Sequence, residues 1–245
     1  MFKKWRSACF NNTLGVVKGN FHMNKMGMIT IAFFCLLSFT LAACSAIPIL
    51  DNRNLVPSGG IFYMDDFSNP KSGWPSWISG NGSLIAYQAG GLRMLVNQAQ
   101  SDLLAWPAQP GVNFNNARIE VDTVKLGGPD NNHFGILCRF QNTKNYYAFL
   151  VTSDGYNGIV KVKDGNFSML TGATLEYNQA IRQGQSQNHL RADCNNQSLS
   201  LWVNSKKSLA ANDPDFSAGG VGLTGGSYAT SGVDVFFDNF IVYNP

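Results

Sequence analysis

Two carboxylates lie close together in one short apolar segment of the chain. In Ala117–Val124, Glu120 and Asp122 alternate with apolar residues. Such alternation predicts a β-strand that carries both carboxylates on one face. A pair of carboxyl groups flanking the scissile bond is what glycoside hydrolysis requires. A solvated strand face explains the pattern more simply, because Arg118 shares that face, and we therefore assign no catalytic residue.

The histidines offer little for metal or nucleophile chemistry. His133 and His189 lie in separate segments and show neither His-x-x-x-His nor His/Cys spacing. No Gly-x-Ser-x-Gly motif is present in the sequence. We interpret both histidines as surface residues at the ends of strands.

These residues must be positioned by strands, because the chain from Ile61 to Pro245 is a succession of short Val-, Ile-, Phe- and Tyr-rich runs. Asp164-Gly165 is a strong hairpin signal between two such runs. Asn195-Asn196 and Asp154-Gly155 mark further turns. Many short antiparallel strands in about 185 residues predict one all-β sandwich or barrel. The clearest candidate strands are Ser83–Gln88, Gly91–Asn97, Ala117–Val124, Phe134–Gln141, Tyr146–Thr152, Gly158–Lys163, His189–Cys194, Ser198–Asn204 and Val233–Tyr243.

The beginning of the chain has the composition of an export segment. The apolar run Ile29–Leu41 follows basic residues and ends in Leu41-Ala42-Ala43-Cys44. It is too short to cross about 30 Å of hydrocarbon comfortably, and its small-residue end is typical of a cleavage site. Leu-Ala-Ala-Cys resembles the lipobox of bacterial lipoproteins. That resemblance implies a cleaved hydrophobic leader helix at residues 1–43 and a lipidated Cys44; an ordinary signal peptide is the alternative.

The net charge of +3 reflects this leader. The chain has 18 Lys and Arg against 15 Asp and Glu, and five of the basic residues but no acidic residue precede Cys44, so 13 against 15 remain. A mature chain with a net charge of about −2 has no electrostatic basis for binding nucleic acid. Residues 44–60 are rich in Pro, Gly, Ser and Asn and predict a flexible tether.

Two cysteines remain once the leader is removed and Cys44 carries lipid. Cys138 and Cys194 each share a strand face with apolar neighbours, so both thiols are expected to point inward. An exported chain with two such cysteines is a candidate for a disulfide. Two buried free thiols are the alternative.

The strand region resembles the concanavalin A-like lectin/glucanase superfamily over residues 61–245. It is most similar to the laminin-G-like and 3-keto-disaccharide hydrolase-type domains of bacterial surface lipoproteins. The resemblance implies an antiparallel jelly-roll β-sandwich, a fold that hosts lectins, glucanases and adhesion modules. It is carried by Met64–Trp74, Phe134–Gly155, Ile159–Gly165, Leu199–Asn204 and Val235–Phe240.

The same resemblance bears on metal and catalysis. Some members bind a structural Ca²⁺ where the first and last strands meet, which implies Asp66 and Asp238 as possible ligands; no cofactor is otherwise required. Glucanases of the superfamily carry Glu-x-Asp-x-x-Glu on one strand. Here Lys125 takes the place of the last Glu, and this departure argues against the retaining mechanism.

Strand phase also suggests a ligand-binding surface. Arg139, Lys161 and Trp202 each lie opposite apolar strand positions and would face outward together if their strands shared one sheet. Tyr146 is a further aromatic candidate. An aromatic ring stacked on a sugar, with Arg or Lys at its hydroxyls, is physically reasonable.

These observations predict a non-catalytic β-sandwich, anchored by lipid on the extracytoplasmic side of a bacterial membrane in the cell envelope. Its expected ligand is a carbohydrate or another envelope polymer. Two other functions stay open: a glycoside hydrolase of the 3-keto-disaccharide type, and an adhesion module that binds protein.

Overall fold

The structure is a computed structural model that describes residues 56–108 and 113–245. This part of the chain contains sixteen strands and no α-helix. The strands are β1 Ile61–Asp65, β2 Trp77–Ile78, β3 Leu84–Gln88, β4 Gly91–Val96, β5 Ser101–Ala105, β6 Ala117–Gly127, β7 Asn132–Asn142, β8 Asn145–Val151, β9 Tyr156–Lys163, β10 Asn166–Met169, β11 Glu176–Tyr177, β12 Gln187–Asn195, β13 Ser198–Val203, β14 Lys206–Asn212, β15 Gly220–Ser227 and β16 Val233–Tyr243.

Two antiparallel sheets form a sandwich, which confirms the predicted fold class. The large sheet has nine strands in the order β14-β13-β12-β6-β16-β4-β3-β2, with β1 also paired to β16. The small sheet has seven strands in the order β10-β9-β8-β7-β15-β5, with β11 also paired to β9. The first and last strands therefore lie together, and Asp65 is opposite Phe240.

The main core lies between the two sheets and follows from alternation along the strands. On β6, the fully buried Ile119 and Val121 alternate with the partly exposed Glu120 and Asp122. Each fully buried aliphatic side chain contributes about 1.5–3 kcal/mol relative to an exposed one. The large sheet thus has one apolar and one polar face, the pattern expected of an antiparallel sheet with one side in solvent.

The small sheet is apolar on both faces. On β7, Phe134 and Ile136 belong to the core between the sheets, whereas Leu137 belongs to a second apolar cluster. Successive strand residues point to opposite sides, so this second cluster lies on the outer face of the small sheet. Its other buried members are Phe140, Tyr146, Ala148, Leu150, Val160 and Val162.

A disulfide between Cys138 and Cys194 connects the two sheets. Both cysteines belong to the main core, so both side chains point inward. They do not lie on adjacent strands of one sheet, however. Cys138 is on β7 of the small sheet and Cys194 is on β12 of the large sheet, so the bond crosses the sandwich.

The hairpin signal at Asp164-Gly165 is confirmed. These two residues connect β9 to β10, and Asn166 is paired with Lys163. Their φ angles are 52° and 80°, the left-handed conformation that a two-residue hairpin turn needs and that Asp-Gly readily adopts. The turn between β12 and β13 lies one residue later than predicted, because Asn195 is already paired with Ser198.

Residues 56–60 are held by the end of the chain. The Asn244 amide donates to the Gly60 carbonyl at 2.8 Å, and the Gly59 amide donates to the Asn244 carbonyl at 2.8 Å. The proposed leader, Cys44 and the tether before residue 56 lie outside the described residues. Within residues 56–108 and 113–245, no helix is long and apolar enough to cross a membrane.

Candidate functional site

A groove with a volume of about 690 Å³ lies along the outer face of the small sheet. Its floor is the second apolar cluster, including Ala148, Leu150 and Val160. Asp102, His133, Ser227 and Tyr228 form one end, which we call the polar end. Phe167 and Met169 on the edge strand β10 lie toward the other end, and residues 173–175 line it as well.

A row of aromatic side chains crosses the outer face away from the polar end. The ring centroid of Phe140 is 4.6 Å from that of Trp106 and 5.9 Å from that of Tyr146. Phe167 continues this aromatic row on β10, two strands beyond Tyr146. Trp106 is 38% exposed and Phe167 is 61% exposed, whereas the other two rings are buried. Aromatic rings of this kind offer flat apolar surfaces for stacking.

The polar end is built around one glycine. Gly226 on β15 is paired with His133 on one side and with Asp102 on the other. Across it, His133 Nε2 lies 3.0 Å from Asp102 Oδ1. A Cβ at Gly226 would lie 2.2 Å from the imidazole and 2.4 Å from the carboxylate, so a glycine is required for this approach.

The His133–Asp102 pair leaves a carboxylate open to the groove. The His133 side chain is 10% exposed, whereas the Asp102 side chain is 55% exposed. The imidazole ring also contacts Tyr228, with the ring centroids 5.1 Å apart. Asp102 is therefore held from one side and still able to accept hydrogen bonds from a ligand.

Two tyrosine hydroxyls complete the hydrogen-bonding groups of the groove. Burial, with a smaller contribution from Asp102, raises the pKa of both Tyr146 and Tyr228 to about 12. Both phenols are thus protonated at neutral pH and can donate or accept hydrogen bonds.

Arg139 was expected to face a ligand-binding surface. It does not, because it lies in a β-bulge. Phe140 is paired with Gly220 and Cys138 with Val221, which leaves Arg139 between them with a φ of 50°. The extra residue changes the strand phase by one. In a regular strand Phe140 would share the inner face with Cys138; after the bulge it lies on the outer face and joins the aromatic row.

The buried Arg139 side chain holds loops together. Its guanidinium donates to the carbonyl oxygens of Phe216 at 2.5 Å, of Asn115 at 3.1 Å and of Asn196. These three residues lie in three different loops, so the Arg139 side chain links these loops at one end of the sandwich. Burial lowers the pKa of Arg139.

Lys161 is also absent from the groove. Its Nζ lies 2.5 Å from Asp213 Oδ2 and 2.7 Å from Asp215 Oδ2, and these hydrogen bonds raise the pKa of Lys161. The Tyr147 hydroxyl donates to the other oxygen of Asp213 at 2.6 Å. Lys161 therefore holds the segment that follows β14, while its neighbour Val160 faces the groove.

Trp202 lies in the other sheet. It is on β13 of the large sheet, where the Arg191 guanidinium lies 4.7 Å from its ring centroid. The expected common surface of Arg139, Lys161 and Trp202 is therefore wrong. Of the proposed ligand-binding residues, Tyr146 is the one that lines the groove.

Glu120 and Asp122 face away from the groove, on the outer side of the large sheet. Asp122 Oδ1 lies 2.8 Å from His189 Nδ1, and Glu120 Oε2 lies 3.5 Å from His189 Nε2. The Asn239 side chain donates to Asp122 at 3.0 Å. The polar face predicted for this strand thus carries a network of polar side chains from β6, β12 and β16.

The proposed calcium ligands serve local turns. Asp66 accepts hydrogen bonds from the Ser68 amide at 3.0 Å and the Ser68 hydroxyl at 2.7 Å, and Asp238 accepts one from the Asn239 amide at 2.7 Å. Across the described ranges, no group of three or more His, Cys, Asp or Glu side chains could hold a metal. Calcium binding stays an untested prediction.

Most residues of the groove carry no signal in the sequence that marks them as a site. The interpretation of His133 as a surface residue is wrong, because the residue is only 8% exposed and its ring contacts Asp102 and Tyr228. The one available signal was Gly226, since a glycine within a strand often marks a close approach of another group. Nothing in the sequence pattern indicates that Asp102 and His133 come from strands on either side of β15.

The class that these features define is an all-β sandwich with a groove on the outer face of one sheet. No family model and no curated protein matches the sequence. The fold is similar to that of the carbohydrate binding module CBM66 from Bacillus subtilis, with a TM-score of 0.53 and 16% identity over 70% of this chain and 96% of that one.

Two further solved structures share the sandwich. A protein of unknown function with a galectin-like fold from Bacillus subtilis has a TM-score of 0.54 and 11% identity, over 77% of this chain and 97% of that one. The GH43 protein BlXynB from Bacillus licheniformis has a TM-score of 0.53 and 14% identity, over 74% of this chain but only 39% of that one. At these identities the similarities establish the fold.

Proposed function

We propose that this chain is a non-catalytic carbohydrate-binding module that holds a glycan in the groove of the small sheet. The observation that carries the proposal is the combination of aromatic surface with hydrogen-bonding groups in one groove. The exposed Phe167 offers a ring for the apolar face of a sugar, and Tyr146 lines the groove beneath it. Asp102, oriented by His133, offers a carboxylate for sugar hydroxyls.

The solved structures add support of a limited kind. One of them is a carbohydrate binding module and another has a galectin-like fold. Their identity to this chain is 16% and 11%, so the likeness concerns the arrangement of strands and not the binding residues. It makes carbohydrate the first ligand class to test.

The charge of the groove favours an uncharged glycan. No Lys or Arg occurs among the described residues that line it, and Asp102 contributes a carboxylate. A uronic acid would bring its own carboxylate into the same groove, where no Lys or Arg among the described lining residues offsets the repulsion. We therefore expect neutral sugars to bind better than acidic ones.

Binding without hydrolysis is favoured by the position of the carboxylates. Hydrolysis by paired carboxyl groups needs two of them across the bond. Of the described residues lining the groove, only Asp102 has a carboxylate, and its nearer oxygen is paired with His133. Glu120 and Asp122 lie on the opposite side of the sandwich and are paired with His189.

We further propose that lipid on Cys44 displays this module at the cell envelope. The support is the sequence Leu41-Ala42-Ala43-Cys44 after an apolar run. Two or more acyl chains would anchor the chain firmly without a membrane span.

A glycan array tests the proposal. The full chain with Cys44→Ser should be retained by neutral glycans and not by polyuronates. Release of reducing sugar from the retained glycans should stay at background over hours. Turnover of any of them, or a chain that is retained by none, would contradict the proposed function.

A further inference from the structure

An exposed indole stands beside the groove, on the same face of the small sheet. Trp106 directly follows β5, and its ring lies against Phe140 with an interplanar angle of 30°. Gly222 on the adjacent β15 lets the chain at Ala105 and Trp106 approach β15 closely. A Cβ at Gly222 would lie 2.4 Å from the Ala105 carbonyl oxygen and 3.3 Å from Trp106 Cβ.

Open space adjoins this indole. A second cavity of about 620 Å³ is lined by Trp106, Phe140, Gln141 and Gly220, among others. It is separate from the groove, and Tyr146 is the groove residue whose ring lies next to Phe140. Phe140 joins the two, because its ring contacts Trp106 on one side and Tyr146 on the other.

We propose that Trp106 forms a second sugar subsite, so that the module binds an extended glycan chain and not a single terminal sugar. The inference rests on the proposed function, and it adds a minimum ligand length. A chain seated in the groove would continue across the Phe140 ring and place a further sugar on the Trp106 indole. An indole that is 38% exposed has free apolar surface for this contact.

Trp77 provides a matched control. It is 40% exposed, close to the exposure of Trp106, but it lies on β2 at the far edge of the large sheet. Loss of either side chain removes an exposed indole of similar size. Only Trp106 is expected to matter for binding.

The test is isothermal titration of the Cys44→Ser full chain with three pairs of probes. These are the disaccharides and hexasaccharides of xylan, cellulose and chitin. At least one hexasaccharide should bind more tightly than its disaccharide. Trp106→Ala should weaken hexasaccharide binding by about 3- to 10-fold, the effect of one stacking contact, and should leave disaccharide binding unchanged.

The controls separate this inference from the proposed function. Trp77→Ala should bind both probes like the wild-type chain. Trp106→Leu removes the ring but keeps an apolar contact with Phe140, so it should fold even if Trp106→Ala does not. Its hexasaccharide affinity should be reduced as much as that expected for Trp106→Ala. If short and long probes bind equally and both Trp106 variants bind like the wild-type chain, the subsite is overturned. That outcome would not contradict glycan binding in the groove. A wild-type chain that binds none of the six probes would overturn both.

Discussion

His133 Nε2 and Asp102 Oδ1 lie 3.0 Å apart across the strand that carries Gly226. The contact joins β7 to β5 over the intervening β15, at a position where any side chain on β15 would collide with both groups. It fixes the orientation of the one carboxylate that the described lining residues bring to the groove. A small residue within a strand thus determines the geometry of the polar end.

Gly226→Ala should disrupt this polar end. The added methyl group overlaps the imidazole and the carboxylate, so one of them must move, at a cost of about 1–3 kcal/mol in the free energy of unfolding. We expect at least about a tenfold loss of glycan affinity, because a hydrogen bond to a charged group contributes about 1.5–3 kcal/mol. Titration calorimetry and urea unfolding measure the two effects.

Gly225→Ala is the matched control for that change. Gly225 is the preceding residue of β15 and faces the core, where a Cβ would lie 3.6 Å from Met94 Sδ in ordinary contact. Affinity and stability should both stay close to those of the wild-type chain. If the two alanine variants lose affinity equally, the His133–Asp102 pair has no special role.

Removal of the disulfide should lower stability without moving the groove. The bond closes a loop with a sequence separation of 56 residues, which corresponds to roughly 4 kcal/mol in the chain-entropy model. The Cys138→Ala/Cys194→Ala variant, made in the Cys44→Ser chain, should unfold at a lower urea concentration and still bind glycan. Mass spectrometry after alkylation should find Cys138 and Cys194 of the parent chain unalkylated; alkylation of these two cysteines would refute the bond.

Stability should fall in the alkaline range because of buried tyrosines. Burial raises the pKa of Tyr146 from 10.0 to about 12, so the unfolded chain loses this proton first. Between pH 10 and 12 the folded state therefore holds more protons, and stability decreases as the pH rises. A shift of this size corresponds to about 3 kcal/mol once the pH exceeds 12.

Urea midpoints at pH 8.5, 10 and 11 measure this dependence. Tyr146→Phe should make the alkaline decline less steep, because phenylalanine has no proton to lose, while Tyr228 still contributes. Tyr177→Phe serves as the control, since Tyr177 is 60% exposed. A Tyr146→Phe chain whose stability declines as steeply as that of the wild-type chain would argue against the buried phenol.

Cys44→Ser should abolish membrane attachment. Serine has no sulfur atom to carry the lipid. The variant chain should therefore move from the detergent phase to the aqueous phase on Triton X-114 partitioning. Labelled palmitate should be incorporated by the wild-type chain alone. A Cys44→Ser chain that stays in the detergent phase would point to a different anchor.

The fold was predictable because its signals are local. Alternation around Ile119 and the turn chemistry of Asp164-Gly165 each specify a strand or a hairpin from a few neighbouring residues. The inward direction of Cys138 and Cys194 followed from the same alternation. None of these inferences needs knowledge of which strands are adjacent.

The site was not predictable for two physical reasons. First, the small sheet is apolar on both faces, so the phase of Val160 and Val162 gave no indication of which side meets the core. Second, the bulge at Arg139 changes the phase within β7 and turns Phe140 outward. The grouping of Asp102 with His133 depends on strand order, which the sequence does not encode locally.

The central claim is that the outer face of the small sheet binds glycan. It is tested most directly by titrating Asp102→Asn/Phe167→Ala with the oligosaccharide that the wild-type chain binds best. Both side chains are more than half exposed, so the fold should tolerate the change. Loss of a charged hydrogen bond and a stacking contact should weaken binding roughly 100-fold, while Trp202→Ala on the large sheet binds normally. Wild-type affinity in the double variant, or loss of binding in Trp202→Ala, would contradict the claim.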